Sequence, residues 1–210
     1  VTSSNELGIS AVVGMNVTDA TLNVTAAREA IATKNLSMES ATAVLNMTGE
    51  DGFAVSVLKD VSGEGSVKLN HSDVTVTSKG NGILAEGGVE GKGGKLKVDA
   101  AKSGLQAAET ITLDGCETAV TSANDLGIAA VAGMNVTDAT LNVTAPNGAG
   151  ITTAAKMNVK NATLNVTAAR EAIATRNLSM ENTEAVLDMT GEDGFAVFVL
   201  KDVSGEGNVK

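Results

Sequence analysis

Apolar and polar residues alternate strictly over short stretches of this chain. Over 20–25, the apolar residues Leu22 and Val24 alternate with Thr and Asn. Successive side chains of a β-strand point to opposite faces, so this pattern predicts a strand with one buried face. Two shorter β-type runs, 8–11 and 15–17, precede it, and turn residues separate the runs. No stretch shows helical spacing over more than about two turns.

The same pattern returns along the whole chain, in places letter for letter. The segment 14–26 recurs unchanged at 133–145 and, with small changes, at 156–168. A small residue followed by a large apolar one marks every unit, and the apolar markers lie 22, 22, 30, 22, 23, 23, 22 and 22 residues apart. These markers are Ile9, Ile31, Phe53, Ile83, Leu105, Ile128, Ile151, Ile173 and Phe195. We interpret them as nine turns of one unit, with Lys59–Gly65 looped out of the long step.

Three short strands in each turn of 22–23 residues, stacked in register, predict an all-β parallel β-helix. We expect the right-handed form, because parallel β crossovers are right-handed in about 98% of cases. Coils about 4.8 Å apart would make nine of them a rod on the order of 40 Å long. A leucine-rich repeat is the rival solenoid, but its inward Asn is replaced here by an outward Asn within Leu-x-Val. We expect 1–210 to form one solenoid segment of a longer chain.

The composition limits the classes of partner that the chain is expected to bind. The chain carries 25 acidic and 15 basic residues, a net charge of −10, three Phe and neither Trp nor Tyr. An acidic surface without a basic stripe or an aromatic platform argues against nucleic acid as a partner. No apolar run approaches the roughly 18 residues of a membrane span. We expect all seven Met on buried strand positions, Cys116 as a small buried residue and His71 in a solvated turn.

The outer face of the first strand is predicted to be flat and uncharged. Its outward positions are Gly8, Ser10, Ala30, Ala32, Gly52, Ala54, Gly82, Leu84, Gly104, Gln106, Gly127, Ala129, Gly150, Thr152, Ala172, Ala174, Gly194 and Ala196. This Gly/Ala face is either a smooth solenoid wall or a surface for another domain, another copy or a flat ligand. The uncapped solenoid ends offer a second route to self-association.

The outer face of the third strand carries a ladder of Thr and Asn. Alignment of the units by their letters gives a middle column of Asn23, Asn46, Thr75, Lys97, Ala119, Asn142, Asn165 and Asp188. The next column is Thr25, Thr48, Thr77, Asp99, Thr121, Thr144, Thr167 and Thr190. Strand propensity and solubility explain such residues, and so would a regular hydrogen-bonding surface for a polymer, or for ice. The candidate ligand-binding residues are Thr21, Asn23, Thr25, Asn46, Thr48, Thr75, Thr77, Asn142, Thr144, Asn165, Thr167 and Thr190.

Acidic turns supply the candidates for a metal. Turn carboxylates can bind Ca²⁺, and the candidates are Asp51, Asp60, Glu64, Asp193, Asp202 and Glu206. Their spacing matches no defined Ca²⁺ loop, so we expect solvated charges, with no required cofactor and Ca²⁺ as an optional ligand. No catalytic residue is predicted, because the outward columns lack the paired carboxylates that glycoside hydrolysis needs.

The phrases Gly-Ile-x-Ala at 8–11 and Met-Asn-Val-x-x-Ala-Thr-Leu-Asn-Val-Thr-Ala at 15–26 carry a family resemblance. They resemble bacterial secreted or surface β-helix proteins labelled carbohydrate-binding-domain-containing, which look like non-catalytic relatives of pectate lyases. The resemblance covers essentially the whole chain and rests on the repeat rhythm. It implies an extracellular location, polysaccharide binding or adhesion, and in some members bound Ca²⁺. The chain departs from common sugar-binding surfaces in lacking Trp and Tyr.

Three functions follow as hypotheses. The leading one is a non-enzymatic bacterial cell-surface or secreted β-helix, an adhesin or polysaccharide-binding stalk. Its ladder would bind a polysaccharide or a host or cell-wall surface, with weak contacts summed along the rod. The second is a structural repeat that self-assembles into fibres or surface layers. The third is a fragment of a polysaccharide lyase or hydrolase, with its active groups outside this segment or near Lys59–Lys68.

Overall fold

A computed structural model describes residues 1–4, 6–59 and 65–199 and the backbone of 208–209. In this part of the chain the secondary structure is all β, in three sheets of nine strands each. Neighbouring strands of a sheet lie three positions apart in chain order and pair in parallel. The fold is therefore a parallel β-solenoid of about nine turns, which confirms the predicted fold class, while its right-handedness stays a prediction.

Each coil contributes one strand to each sheet. The first-strand sheet contains β2 (Leu7–Ala11), β5 (Glu29–Thr33), β8 (Phe53–Val57), β11 (Asn81–Ala85), β14 (Leu105–Ala107), β17 (Ile128–Ala130), β20 (Ile151–Thr153), β23 (Glu171–Thr175) and β26 (Phe195–Val199). The second-strand sheet contains β3 (Met15–Thr18), β6 (Leu36–Glu39), β9 (Val67–Asn70), β12 (Val89–Lys92), β15 (Thr110–Asp114), β18 (Gly133–Thr137), β21 (Lys156–Lys160), β24 (Asn177–Glu181) and β27 (Asn208–Val209). The third-strand sheet contains β1 (Thr2–Ser3), β4 (Thr21–Ala26), β7 (Thr42–Met47), β10 (Asp73–Ser78), β13 (Lys95–Ala100), β16 (Glu117–Ser122), β19 (Thr140–Ala145), β22 (Thr163–Ala168) and β25 (Glu184–Met189).

The core is built from stacks of like residues. Met134 pairs with Met157 on the second-strand sheet, and Leu141 pairs with Leu164 on the third-strand sheet. All four side chains are buried, and burial of such a side chain contributes about 1.5–3 kcal/mol. Every Met faces the interior: Met38, Met47, Met134 and Met157 are buried, and Met15, Met180 and Met189 pack against the core. The prediction for the Met residues is confirmed.

A left-handed turn leads into each third strand from β4 to β25. The turn residues are Asp19, Ser40, His71, Gly93, Gly115, Asp138, Asn161 and Asn182, with φ between 47° and 61°. Gly, Asn and Asp adopt this conformation more readily than most residues. The residue after the turn is small, and Ala41, Ser72, Cys116, Ala139 and Ala162 are buried there. The predictions that Cys116 is small and buried and that His71 lies in a turn are confirmed.

This turn sets the register of the third strands and corrects the predicted ladder columns. Thr25 pairs with Asn46, and Asn23 pairs with Val44. The predicted pairing of Thr25 with Thr48 is therefore wrong by two residues. A shift of two leaves the alternation of inward and outward side chains intact, so the hydrophobic pattern could not detect it.

The same shift recurs in the last coil, where Thr167 pairs with Asp188 rather than with Thr190. Thr48 and Thr190 both lie one residue beyond their strands. Their hydroxyls donate to the carbonyl oxygens of Ala26 and Ala168, each at 3.2 Å. These two Thr therefore close the corner of a coil instead of extending the ladder.

The predicted Gly/Ala face of the first strand is wrong, because its glycines line the core. A Cβ added to Gly8, Gly104, Gly127 or Gly150 would collide with Cγ1 of a valine on the third-strand sheet. Ala30, Ala54 and Ala172 are fully buried. Each lies directly before the residue that occupies the marker position in the structure, which is Ile31, Val55 or Ile173. Two successive residues point inward at this corner, because the chain bends there and the two-residue period is interrupted.

The register also moves two markers of the repeat. Ile31 pairs with Val55 and Ile173 with Val197, so Phe53 and Phe195 lie two residues before the marker position. The first-strand face keeps a single outward column of Ser10, Ala32, Ser56, Leu84, Gln106, Ala129, Thr152, Ala174 and Phe198. Self-association through this face or through the solenoid ends stays a prediction.

Candidate carbohydrate-binding surfaces

Ten of the twelve predicted ligand-binding residues lie on the outward side of the third-strand sheet. They are Thr21, Asn23, Thr25, Asn46, Thr75, Thr77, Asn142, Thr144, Asn165 and Thr167. The other two are the corner residues Thr48 and Thr190. The structure therefore brings most of the ladder onto one face. The predicted columns are confirmed from β10 to β22 and are wrong at β7 and β25.

The most regular part of this face is a block of six uncharged polar residues. Thr140, Asn142 and Thr144 of β19 pair with Thr163, Asn165 and Thr167 of β22, and we call this block the Thr/Asn grid. The two rows are about 4.8 Å apart, and alternate residues in a row are about 6.6 Å apart. The amide of Asn165 donates to Oδ1 of Asn142 at 2.8 Å. The grid is a flat array of hydroxyl and amide groups that satisfy one another in part.

Charged residues interrupt the ladder in its middle. The outward positions of β10, β13 and β16 include Asp73, Lys95, Lys97, Asp99 and Glu117. Lys95 Nζ lies 2.8 Å from Glu117 Oε2, and this hydrogen bond raises the pKa of Lys95. The ladder is thus divided into a short part on β4 and the Thr/Asn grid.

A cleft on the second-strand sheet was not predicted from the sequence. Two neighbouring depressions of about 340 and 380 Å³ share Ser66 and Lys68. The smaller is also lined by Asn16, Asn35, Leu36 and Ser37, and the larger by Val67, Gly88, Val89, Glu90, Glu109, Thr110 and Thr112. Together they form an open groove across the outward side of β3, β6, β9, β12 and β15, which we call the second-sheet cleft.

One wall of the second-sheet cleft is formed by the described ends of the connection between β8 and β9, which are Lys59 at its start and Gly65 and Ser66 at its end. At its start, the backbone N–H of Lys59 donates to Glu86 Oε2 at 2.7 Å, and Lys59 Nζ donates to Glu109 Oε1 at 2.7 Å. At its end, the backbone N–H of Ser66 donates to Asn35 Oδ1 at 3.2 Å. Both ends of the wall are therefore fixed to neighbouring coils on either side.

A glycine allows this wall to approach the sheet. The backbone N–H of Gly87 donates to the carbonyl oxygen of Gly65 at 2.8 Å. A Cβ on Gly87 would lie 2.9 Å from Ser66 Oγ and from the Gly65 carbonyl group, so a larger residue would push the wall away. The glycine-rich stretch 86–94 contains β12 (Val89–Lys92), in which Gly91 faces inward against Leu113.

Among the described residues of the cleft, one cation is without an ion-pair partner. Glu109 pairs with Lys59, and Glu90 pairs with Lys92 Nζ at 2.7 Å, which raises the pKa of Lys92. Lys68 lines both depressions and is exposed, and it takes part in none of the ion pairs formed by the described residues. Among the described residues, this cleft therefore offers one exposed ammonium group bordered by hydroxyl, amide and carboxylate groups.

The sequence held one indication of the cleft. The long step of the repeat at Lys59–Gly65 is followed by outward polar residues on successive second strands, Lys68, Glu90 and Thr112. Reading this strand face column by column, as was done for the other two faces, would have shown them side by side. The hydrogen bonds of Lys59 to Glu86 and Glu109 could not be found in this way, because they join residues up to 50 positions apart.

Of the six candidate calcium ligands, the structure describes only Asp51 and Asp193, which lie in different coils. Asp51 forms an ion pair with Lys102 at 3.2 Å, Asp193 is exposed, and Asp60, Glu64, Asp202 and Glu206 lie outside the described residues. Over 1–4, 6–59 and 65–199, no group of three or more His, Cys, Asp or Glu is arranged to hold a metal ion. Binding of Ca²⁺ stays a prediction. The same residues contain no helix with the length and hydrophobicity of a membrane span.

Comparison with known proteins adds a family. The model of a family described as carbohydrate-binding domain-containing protein matches residues 1–126, more than half of the chain. The chain belongs to this family. The matched region of the carbohydrate-binding family contains every lining residue of the second-sheet cleft, whereas the Thr/Asn grid at 140–167 lies beyond it. No curated protein and no solved structure matches the chain.

Proposed function

We propose that this protein is a non-enzymatic module that binds a polysaccharide in the second-sheet cleft. The observation that carries the proposal is an open, polar cleft with a fixed wall, inside the region that the carbohydrate-binding family matches. A polymer needs a groove that is open at both ends, and this cleft crosses five strands. The side chains of Asn16, Ser37 and Thr112 offer donors and acceptors that suit sugar hydroxyls.

The charge of the cleft favours an acidic polysaccharide. Among the described residues there, Lys68 is the cation without an ion-pair partner, while Glu90 and Glu109 each pair with a lysine. An ammonium group binds a sugar carboxylate through a charge-assisted hydrogen bond, which is roughly twice as strong as a neutral one. We therefore propose uronate-containing polymers as ligands, with neutral polymers bound more weakly.

We further propose that binding takes place outside a bacterial cell, with the protein secreted or held at the surface as an adhesin or stalk. The description of the family and its expected polysaccharide ligand support this placement. A rod of stacked coils presents the cleft at a distance from whatever holds its ends, which suits a stalk.

Retention on immobilised polymers tests the proposal. The folded protein is passed over polygalacturonate, alginate, xylan and cellulose, each with Ca²⁺ and with a chelator. We expect retention on an acidic polymer and a loss of about tenfold to hundredfold in affinity for Lys68→Gln, because a hydrogen bond to a charged group contributes about 1.5–3 kcal/mol. The matched control is Lys97→Gln, which removes an exposed lysine from the third-strand face and should bind like the unaltered protein.

The same assay separates the two candidate surfaces. The variant Thr144→Lys/Thr167→Lys alters the Thr/Asn grid and leaves the cleft intact. Loss of retention in this variant, with full retention in Lys68→Gln, would move the binding site to the grid. Failure of the unaltered protein to bind any of the four polymers would refute the proposed function.

A further inference from the structure

Most residues that line the smaller depression of the second-sheet cleft recur elsewhere in the chain. Its residues Asn16, Asn35, Leu36 and Ser37 recur as Asn158, Asn177, Leu178 and Ser179, each 142 positions later. In the sequence, Lys68 likewise recurs as Lys210, and the seven residues 59–65 recur unchanged as 201–207. The repetition covers five of the six residues that line the depression, since only Ser66 is replaced, by Asn208.

The structure gives the two sets the same strand register. Asn16 pairs with Ser37 between β3 and β6, and Asn158 pairs with Ser179 between β21 and β24. The next strand follows the same pattern, because Leu36 pairs with Val67 and Leu178 pairs with the backbone of Val209.

Burial agrees with this equivalence at two positions, whereas Asn16 is exposed and Asn158 is half-buried, with its amide donating to Asn135 Oδ1 at 2.8 Å. Leu36 and Leu178 are each 3% exposed, and Ser37 and Ser179 are both half-buried. The polar groups at Asn158, Asn177 and Ser179 therefore stand on the same face as the first depression, on strands of matching register. The spacing follows from the sheet order, in which β3 and β21 are six strands apart, or roughly 29 Å at about 4.8 Å per strand.

We propose that Asn158, Asn177 and Ser179 form a second subsite for the same acidic polysaccharide, so that one protein chain binds the polymer at two equivalent places. This inference rests on the proposed function of the second-sheet cleft. Two linked sites make the second contact intramolecular, and such linkage raises affinity by about 10²–10⁴ without any new type of contact. A short oligosaccharide occupies the two subsites independently, whereas a long polymer spans them.

Two matched substitutions separate the subsites. Ser37→Glu and Ser179→Glu place a carboxylate at equivalent half-buried positions, where it repels an acidic sugar. Ser10→Glu makes the same change on the exposed part of the first-strand face, away from both subsites. Thermal unfolding followed by circular dichroism shows whether each variant keeps its fold. If a Glu variant does not fold, Ser37→Ala and Ser179→Ala replace the Glu variants as a milder pair.

Titration calorimetry with hexagalacturonate measures the number of sites, and retention on polygalacturonate measures the avidity. We expect two sites in the unaltered protein, one in each single variant and none in the double variant, with at least tenfold weaker polymer retention for either single change. One site in the unaltered protein, together with full polymer retention by Ser179→Glu, would overturn the second subsite and leave the proposed function intact. Absence of binding to both probes would instead refute the proposed function, and equal weakening by Ser10→Glu would overturn both site assignments.

Discussion

Replacement of Gly127 by Ala tests the inward orientation of the first-strand glycines. Gly127 lies in the core corner between β17 and β19, where an added Cβ would collide with Val143 Cγ1 and lie 2.6 Å from the carbonyl oxygen of Gly150. The carbonyl oxygen belongs to the backbone of the next coil and cannot rotate away. The extra methyl group therefore has to be accommodated by a shift of a valine and of a neighbouring strand.

The size of the effect follows from two opposing terms. At a compatible position, Gly→Ala stabilises a protein by about 0.4–1 kcal/mol through the entropy of the unfolded chain. Overpacking of a well-filled core costs about 1–3 kcal/mol, and here it involves both a side chain and a backbone atom. We expect a net destabilisation of about 1–2 kcal/mol, which corresponds to a fall in Tm of roughly 2–8 °C for a chain of this length.

Circular dichroism is the suitable assay, because the chain has no Trp or Tyr to report by fluorescence. Ala129→Ser, an outward change two residues away, should stay within about 0.5 kcal/mol of the unaltered protein. A second substitution should restore part of the stability. In another coil, Ala30 occupies the corner that corresponds to Gly127, and Leu45 occupies the third-strand position that corresponds to Val143. We expect Gly127→Ala/Val143→Leu to recover part of the loss. A Gly127→Ala variant as stable as the unaltered protein, or more stable, would show that the glycine column faces outward after all.

Three further predictions concern single contacts. Burial raises the pKa of the Cys116 thiol above its ordinary value of 9.0; the stability that this contributes is present below pH 9.0 and is lost as pH rises through the folded-state pKa. Cys116→Ala should therefore reduce the loss of stability at alkaline pH, in unfolding curves measured from neutral to alkaline pH. The substitution should cost little stability at neutral pH, since Ala41, Ala139 and Ala162 fill the same corner. An unchanged pH profile would contradict this prediction. Glu109→Gln releases Lys59 in the cleft, so acidic polymers should be retained more strongly and with steeper salt dependence, while Tm changes little because the ion pair is exposed; weaker retention would contradict the proposed ligand. Asn165→Ala removes the 2.8 Å hydrogen bond to Asn142 and should cost about 0.5–1.5 kcal/mol in the free energy of unfolding with no change in polymer retention; reduced retention would instead favour the Thr/Asn grid as the binding site.

The sequence was sufficient for the fold class because a solenoid repeats its constraints. Each apolar position is supported by equivalents such as Met134 and Met157 stacked on one another, so a single misassigned residue does not alter the architecture. The register was harder to predict. The segments Leu22–Thr25 and Leu45–Thr48 are similar in sequence, but the left-handed turns at Asp19 and Ser40 set their pairing. Sequence similarity between two segments does not report their backbone conformation.

The orientation of Gly8 and Gly127 could not be predicted for a related reason. Alternation places every second residue of a strand outside, and these glycines were assigned outward by that rule. At a corner the chain bends, and two successive residues point inward. Glycine is required there because the valine of the third strand and the next coil occupy the space of a side chain. Such a requirement is a property of the packed coils and not of one strand.

The second-sheet cleft shows how a regular solenoid acquires a site. The connection between Val57 and Val67 is longer than those between the first and second strands of most other coils, but β9 still pairs in register with β6 and β12. The sheets therefore accommodate the extra residues without a change of register, because each coil depends only on its neighbours. The letters of this connection occur twice, at 59–65 and 201–207, each time before a strand of the second sheet. If this connection creates the site, then affinity for a polymer should follow the number of such connections in the sequence more closely than the number of coils.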